Sequence, residues 1–320
     1  MDPLTHVTVN TAVFAAVTEK GLSLDSPEFL AATAGALIPD SDVFFQLFGD
    51  LRYLKYHRGI SHSITGGILL SAVIAGMFSL LFASAFFPLM GYAFLGIVTH
   101  LALDWLNSYG IKLFWPFSMR MYSGNLLMVV DPILIFFSLV SFLGFAFGYD
   151  FLGWGALWIL PVYIGARYVS RWTFSRYLQS NFNQEKNIKL SVLPAFSSLF
   201  HWDFIMETEV NVYVGQASIF RRAYQVKEKL SKILEQEMGK KFVNKALDSK
   251  LGQLFRDFTP HFLVKYERTP DNKHQVVFID LRYHLGKRFL HQAMVRYHER
   301  GEIEEALFQP YHPNRKILID

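Results

Sequence analysis

Four long runs of apolar residues dominate the chain between residues 64 and 172. A helix needs about 20 largely apolar residues to cross a bilayer, and each run comes close to that length. Very short joins, FPLMG and GYDFLG, separate the first run from the second and the third from the fourth. The pattern therefore predicts four membrane spans in two tight helical hairpins. The predicted spans are roughly Ile64 to Phe86, Leu89 to Leu106, Leu126 to Phe147 and Phe151 to Tyr168.

Shorter patterns flank these runs on both sides. Upstream, PLTHVTVNTAVFAAVTEKG and SPEFLAATAGALIPDSD have helical apolar spacing but are too short to cross comfortably, so they predict re-entrant or interfacial helices. Downstream of about Arg176, HWDFIMETEVNVYVG alternates as strands do, and RAYQVKEKLSKILEQEMGKKFVNKAL predicts an amphipathic helical pair. Residues 261–300 predict a meander with a turn at Pro270. We expect a mainly α fold: a polytopic helical membrane domain over residues 1–175, then a soluble α+β domain over residues 176–320.

Composition supports a membrane environment. Of the 320 residues 52% are hydrophobic, 31 are phenylalanine and only 18% are charged. An ordinary soluble domain carries fewer aromatic and more charged residues.

The chain has no cysteine, which excludes disulfides and thiolate metal sites and leaves histidine, carboxylate and carbonyl as metal ligands. The net charge is only +4, and the basic residues are interspersed with acidic ones. This pattern gives no sign of nucleic-acid binding and favours the lipid bilayer as partner.

The basic residues near the predicted spans indicate an orientation. Lysine and arginine in short flanks stay on the cytoplasmic side of a membrane. The hairpin tips carry neither residue, so all three basic flanks and both termini are expected to be cytoplasmic, in a multi-pass protein of the cell (inner) membrane. The flanking bases are Arg52, Lys55 and Arg58 before the first span, Lys112 and Arg120 between the hairpins, and Arg167, Arg171 and Arg176 after the fourth.

Several ionisable residues lie at or near membrane depth, where they are costly and usually functional. His62 begins the first span, while His100 and Asp104 lie near the end of the second. A hairpin returns the end of its second helix to the face where its first helix starts, so these three share the cytoplasmic side. Asp131 enters the third span from that side. In HLALD the i, i+4 spacing puts His100 and Asp104 about 40° apart on one helical face, within reach of one metal ion.

Other candidate ligands lie upstream, and their positions can also be explained by structural roles in turns and helix caps. Asp40 and Asp42 follow Pro39 in LIPDSDVF, where they can face a cation or merely cap a turn. In YHRGISHSI a turn at Gly59 and a helix beginning near Ser61 are expected, with Ser61 as its N-cap, and His57 and His62 lie on either side of that turn. His6, on the first short helix, is the weakest candidate alone. The carboxy-terminal histidines are expected to be surface or structural residues without acidic partners: His284, His291 and His298.

Together these motifs resemble a known family. His6, IPDSD, HRGISHS leading into a span, HLALDWLNSYG and VVDPI resemble the membrane-bound, metal-dependent hydrolases that include the LexA-regulated inner-membrane proteins. That family is distantly similar to zinc-dependent phospholipases C and single-strand nucleases. The resemblance implies a hydrolase with one or two divalent ions, most readily zinc. The ligands that it implies, joined by Asp131 from topology, are His6, Asp40, His57, His100 and Asp104.

The expected reaction is hydrolysis of a phosphodiester or phospholipid-like substrate at the cytoplasmic leaflet by metal-activated water. Asp42 would act as general base or orient a histidine, and Arg58 would clamp a phosphate oxygen. His62 would bind metal or protonate the leaving group. Two other classes remain open: a protein that handles ions or protons across the membrane, and a non-catalytic membrane regulator that recruits partners through residues 176–320.

Overall fold

The computed structural model describes residues 1–18, 23–41, 59–182, 187–196, 198–219, 223–232, 237–286, 288–298, 301–310 and 315–319. Within these ranges the chain forms two compact units, one up to Trp172 and the other from Thr173 onward. The first unit is helical, and the second contains β-sheets with two helices of its own. The expected order, a helical region followed by a β-sheet domain, is confirmed.

Six helices build or enter the first unit. Three of them begin at a proline preceded by an N-cap aspartate or serine, because proline suits the first helical position and the cap side chain accepts a free backbone N–H. The two short amino-terminal helices were predicted from apolar spacing and are confirmed. The six are α1 (Pro3–Val17), α2 (Pro27–Leu37), α3 (Ile64–Phe82), α4 (Phe86–Leu106), α5 (Pro132–Ala146) and α6 (Asp150–Asn181).

Among the described residues, α3 and α4 are the helices long and apolar enough to cross a membrane, with mean hydropathies of 2.1 and 1.7. Most residues in their apolar windows are not buried, and side chains such as Leu80 and Phe87 are largely exposed, as expected for a surface that faces lipid. The prediction of four spans is not supported. Helix α5 has 15 residues, fewer than the roughly 20 that a span needs. In α6 the apolar residues are interrupted by Pro161, Arg167 and Arg171.

Helices α2 and α4 touch through their backbones. A Cβ added to Gly35 would lie 2.1 Å from the carbonyl oxygen of Ala93, and one added to Gly96 would lie 2.0 Å from that of Ala32. Small residues permit this approach, as they do between helices in membranes. The contact places the carboxyl end of α2 beside the middle of α4.

Among the described residues the second unit contains two larger antiparallel sheets and a small two-stranded one. The first has the order β1-β2-β3-β4, and the second has the order β11-β10-β9-β6-β5, covered by α7 and α8. A core that includes Leu193, Ile205 and Ile279 joins residues of both sheets. The strands are β1 (Lys189–Pro194), β2 (His201–Glu207), β3 (Asn211–Ser218), β4 (Ala223–Ser231), β5 (Phe262–Arg268), β6 (His274–Asp280), β7 (His284–Leu285), β8 (Arg288–Phe289), β9 (Gln292–Tyr297), β10 (Ile303–Gln309) and β11 (Ile317–Leu318), and the helices are α7 (Glu237–Asp248) and α8 (Lys250–Phe258).

One prediction for this unit, a turn, is confirmed, and another, a helical pair, is partly wrong. The turn near Pro270 is confirmed, because Asn272 N–H donates to the Thr269 carbonyl and β5 pairs with β6 on either side. The predicted helical pair is wrong in its first half, since Ala223–Ser231 forms strand β4. Pairing along the whole of β3 satisfies the backbone of this segment, and that pairing outweighs its helical spacing.

A buried polar network lies at the end of β6. Asp280 accepts hydrogen bonds from the Arg282 guanidinium and from the Thr259 hydroxyl, and none of the Asp280 or Arg282 side chain is exposed. His291 Nδ1 lies 3.4 Å from Asp280, and His284 Nε2 lies 3.7 Å from Glu228. The expectation that these histidines lack acidic partners was therefore wrong, although both are buried as structural residues are.

Candidate metal centre

Four side chains from separate parts of the first unit meet at one point. Asp40, His62, His100 and Asp104 each offer a ligand atom, and these atoms all lie within 4.8 Å of one another. Asp40 belongs to a 3-10 turn that continues α2 over residues 38–41, and His62 ends the 3-10 turn Ile60–His62 directly before α3. His100 and Asp104 occupy the last turns of α4. The α3–α4 hairpin and the α2–α4 contact therefore assemble the group.

The separations between donor atoms match a tetrahedral ion site. His62 Nε2 lies 3.2 Å from His100 Nε2, 3.2 Å from Asp40 Oδ1 and 3.2 Å from Asp104 Oδ2. His100 Nε2 lies 3.7 Å from the same Asp40 oxygen and 3.8 Å from the same Asp104 oxygen. Zinc binds nitrogen and oxygen at about 2.0–2.1 Å, so the edge of its tetrahedron measures about 3.4 Å. Five of the six donor separations, from 3.2 to 3.8 Å, lie near this edge, and all the ligand atoms lie within 4.8 Å of one another.

Protonation makes a shared cation the simplest partner for these atoms. His100 Nδ1 lies 2.7 Å from the carbonyl oxygen of Ala36, which can only accept, so Nδ1 carries the proton and Nε2 of the neutral ring presents a lone pair. A proton on His62 Nε2 can satisfy only one of its three neighbours. The two carboxylates carry two negative charges in a largely buried place, and the Met1 ammonium at Asp104 Oδ1 balances only one of them. A divalent cation fits this donor set.

A third histidine faces the remaining carboxylate oxygens. His6 Nε2 lies 3.5 Å from Asp104 Oδ1 and 3.9 Å from Asp40 Oδ2, the oxygens not used in the group above. Among the described residues neither ring nitrogen of the buried His6 has a hydrogen-bond partner, and the ring stacks on His100 at 3.8 Å. The amino group of Met1 also contacts Asp104 Oδ1. Both carboxylates therefore present one oxygen to His62 and His100 and the other to His6.

The pKa shifts of His6 and Asp40 favour the protonation states in which these side chains can bind a metal. Burial lowers the pKa of His6, which keeps its imidazole neutral. Burial alone would raise the pKa of Asp40, but the hydrogen bond from His62 and the neighbouring His100 hold it well below the usual range. The side chain of Asp40 is 23% exposed, whereas those of the three histidines and Asp104 are fully buried. Solvent therefore reaches the centre beside Asp40.

Groups outside the donor set fix its geometry. Asn107 Nδ2 donates to Asp104 Oδ1 at 3.0 Å, while Asn107 Oδ1 accepts from the backbone N–H of Tyr109 and Gly110. Ser61 Oγ contacts His62 Nδ1 at 3.0 Å. Such partners orient ligands and are part of a metal site. Sequence reasoning did not assign Asn107, although its place three residues after Asp104 was a usable signal.

The remaining predicted residues divide into two sets. Asp131 is described but is not brought into the group: it caps α5 by accepting from the backbone N–H of Ile133 and Leu134, and it accepts from the Tyr163 hydroxyl at 2.9 Å. Ser61 is not the cap of the first span, because Ser63 occupies that position. The other three predicted residues lie outside the described residues: Asp42, His57 and Arg58.

The chain is similar to known proteins in both units. Residues 241–317 match the family described as the YfhP C-terminal alpha/beta plait domain. The chain is 25% identical over 291 residues to the uncharacterized protein YfhP of Bacillus subtilis (strain 168), which covers 88% of this chain and 87% of that protein. No solved structure matches significantly. Residues 1–174, more than half of the chain and including every described residue of the candidate centre, match the family described as YdjM inner membrane protein, and the chain therefore belongs to the YdjM family.

Proposed function

We propose that this protein is a membrane-embedded, metal-dependent hydrolase that acts at the cytoplasmic face on a phosphodiester or phospholipid-like substrate. The observation that carries the proposal is the spacing of the Asp40, His62, His100 and Asp104 donor atoms, which suits one tetrahedral ion. Mixed imidazole and carboxylate ligands are typical of catalytic zinc sites, so zinc is the ion that we favour.

His6 provides the argument for a second ion and for catalysis. Four protein ligands around one ion make a closed, structural site, whereas a catalytic zinc site keeps a position open for water or substrate. On the His6 side the described side chains supply three donors, His6 Nε2, Asp40 Oδ2 and Asp104 Oδ1. These three groups would hold a second ion, and solvent or substrate would reach it beside the partly exposed Asp40.

The bound metal would lower the pKa of water toward neutrality and polarise a phosphoryl oxygen. The protein side chains position the ligands, act as a base and bind the substrate. His62 and His100 direct their Nε2 atoms at the centre, held by Ser61 and by the Ala36 carbonyl. Asp42 remains the proposed base or orienting partner, and Arg58 the proposed clamp for a phosphate oxygen.

The place of the centre in the membrane suggests the substrate. His62 directly precedes α3, and His100 and Asp104 lie in the last turns of α4, so all three lie at one end of the hairpin. The bases Lys112 and Arg120 follow α4 at that end, which supports a cytoplasmic position for it under the positive-inside rule. Phosphodiesters of lipid headgroups are abundant at this depth.

The test is turnover of bis-(p-nitrophenyl) phosphate by the full chain purified in detergent. We expect hydrolysis that needs added zinc or manganese, is abolished by chelation, and falls at least a hundredfold in His62→Ala and Asp104→Asn. His201→Ala, a change in the second unit, serves as the control and should keep full activity. Metal-independent turnover, or equal activity in all variants, would remove the basis of the proposal.

A further inference from the structure

A pocket of about 530 Å³ opens on the second unit, and no residue of the candidate metal centre lines it. One wall is a single face of α7, which presents Lys241, Phe242 and Lys245 at positions i, i+1 and i+4. The opposite wall is the β5–β6 hairpin, with Arg268 at the end of β5 and Asn272 in its turn. We call this the basic pocket. Its volume lies in the range of small-molecule sites, about 300–1,000 Å³.

The charge of the basic pocket has one sign. Lys241, Lys245 and Arg268 line it, and no carboxylate is among its lining residues. Within the described part of the chain, none of these three cations lies within ion-pair distance of an acid. Other bases of the same unit are paired: Lys273 contacts Glu304, and Lys232 contacts Glu207. Cations left unpaired around a concave site attract an anionic ligand.

The floor of the pocket is rigid and apolar. The buried Phe242 ring stacks on His274 at 4.1 Å, and His274 Nδ1 is held by the Tyr266 hydroxyl at 2.7 Å. Burial, helped by nearby Arg268, lowers the pKa of His274, so the ring stays neutral. The Lys245 ammonium donates to the Gly301 carbonyl, which holds that ammonium at the pocket while its other N–H donors stay available. A firm apolar floor beneath several cations suits an organic anion.

We propose that the basic pocket binds a phosphate-bearing small molecule. Its phosphate is held by the Lys241 and Lys245 ammonium groups and by the Arg268 guanidinium, whose fork can bind two phosphate oxygens at once. The Asn272 amide adds a neutral donor at the rim. The organic part fills the remaining volume over Phe242. A soluble phosphorylated metabolite and a phospholipid headgroup share this chemistry.

Binding to the full chain in detergent tests the proposal with three probes: inorganic phosphate, AMP and sn-glycerol 3-phosphate. The pocket variant is Lys241→Gln/Arg268→Gln. The matched control, Lys240→Gln/Arg288→Gln, removes the same two charge types from exposed positions outside the pocket. None of these changes touches the metal centre, so any phosphate bound there contributes equally to all three proteins.

We expect saturable binding that is at least tenfold weaker in the pocket variant and unchanged in the control. Tighter binding of AMP would identify a soluble metabolite as the source, and tighter binding of glycerol 3-phosphate a headgroup; either result supports the pocket. Equal affinity in the pocket variant and the wild type, or an equal loss in both variants, overturns the proposal.

A second measurement needs no substitution. Lysines of the wild-type chain are acetylated with and without the tightest probe, and the modified peptides are quantified by mass spectrometry. The probe should protect Lys241 and Lys245 at least threefold and leave Lys240, on the same helix, unprotected. Equal labelling with and without the probe, or equal protection of all three lysines, would contradict binding in the pocket.

Discussion

Adding one methyl group at Gly96 should weaken metal binding without touching a ligand. Gly96 lies one turn before His100, where α4 meets α2, and a Cβ there would lie 2.0 Å from the Ala32 carbonyl oxygen. Ordinary van der Waals contact begins near 3.4 Å, so Gly96→Ala forces the helices apart by about 1.4 Å. The Ala36 carbonyl, one turn further along α2, would move from 2.7 Å to about 4.1 Å from His100 Nδ1, beyond hydrogen-bond range.

Losing such an orienting partner costs about 10- to 100-fold in metal affinity, equivalent to about 1.4–2.7 kcal/mol. The assay is competition for zinc with a chromophoric chelator, after circular dichroism has shown that helix content is retained. Gly91→Ala is the matched control, because an added Cβ at that position of α4 meets nothing within 4 Å. Wild-type zinc affinity in Gly96→Ala would refute the link between helix packing and the centre.

Three further predictions concern the polar networks. Asn107→Leu removes the donor to Asp104 and should weaken zinc binding by about 10- to 100-fold in the same competition assay; unchanged affinity would exclude an orienting role. Asp280→Asn leaves the buried Arg282 without its charge partner and should lower the opening free energy of β6 and β9 by about 3–5 kcal/mol, measured by hydrogen exchange. Burial alone would raise the pKa of Asp280, but Arg282 holds it well below its usual range, so this stabilisation is present above about pH 4 and declines as pH falls. The stability gap between wild type and Asp280→Asn should therefore narrow in acid, and a gap that widens would contradict the reasoning.

Much of the metal centre could be predicted from local rules. The i, i+4 spacing of His100 and Asp104 fixes their shared face on any helix, and a hairpin returns that face to the level of His62. Proline and cap residues mark the starts of α1 and α2, which carry His6 and lead to Asp40. These relations depend on neighbours in sequence, so one chain was enough to find them.

Other features depend on contacts that spacing does not encode. His57 was favoured over His62 because the family resemblance implies His57 as a ligand, and a helix was expected to begin near Ser61. The cap is instead Ser63, and the 3-10 turn before it packs so closely that a Cβ on Gly66 would lie 1.9 Å from the Ile60 carbonyl. That turn directs His62 inward. Likewise, β4 is a strand because it pairs with β3. The apolar spacing of this segment is helical and does not indicate that pairing.

The most direct test of the central claim is X-ray absorption at the edge of the metal that copurifies with the full chain. A shell of nitrogen and oxygen donors at about 2.0–2.1 Å, with the outer-shell scattering of at least two imidazoles, is the predicted result. The imidazole signal should diminish in His100→Ala. Absence of stoichiometric metal, or a shell without imidazole, would contradict a metal centre built from Asp40, His62, His100 and Asp104.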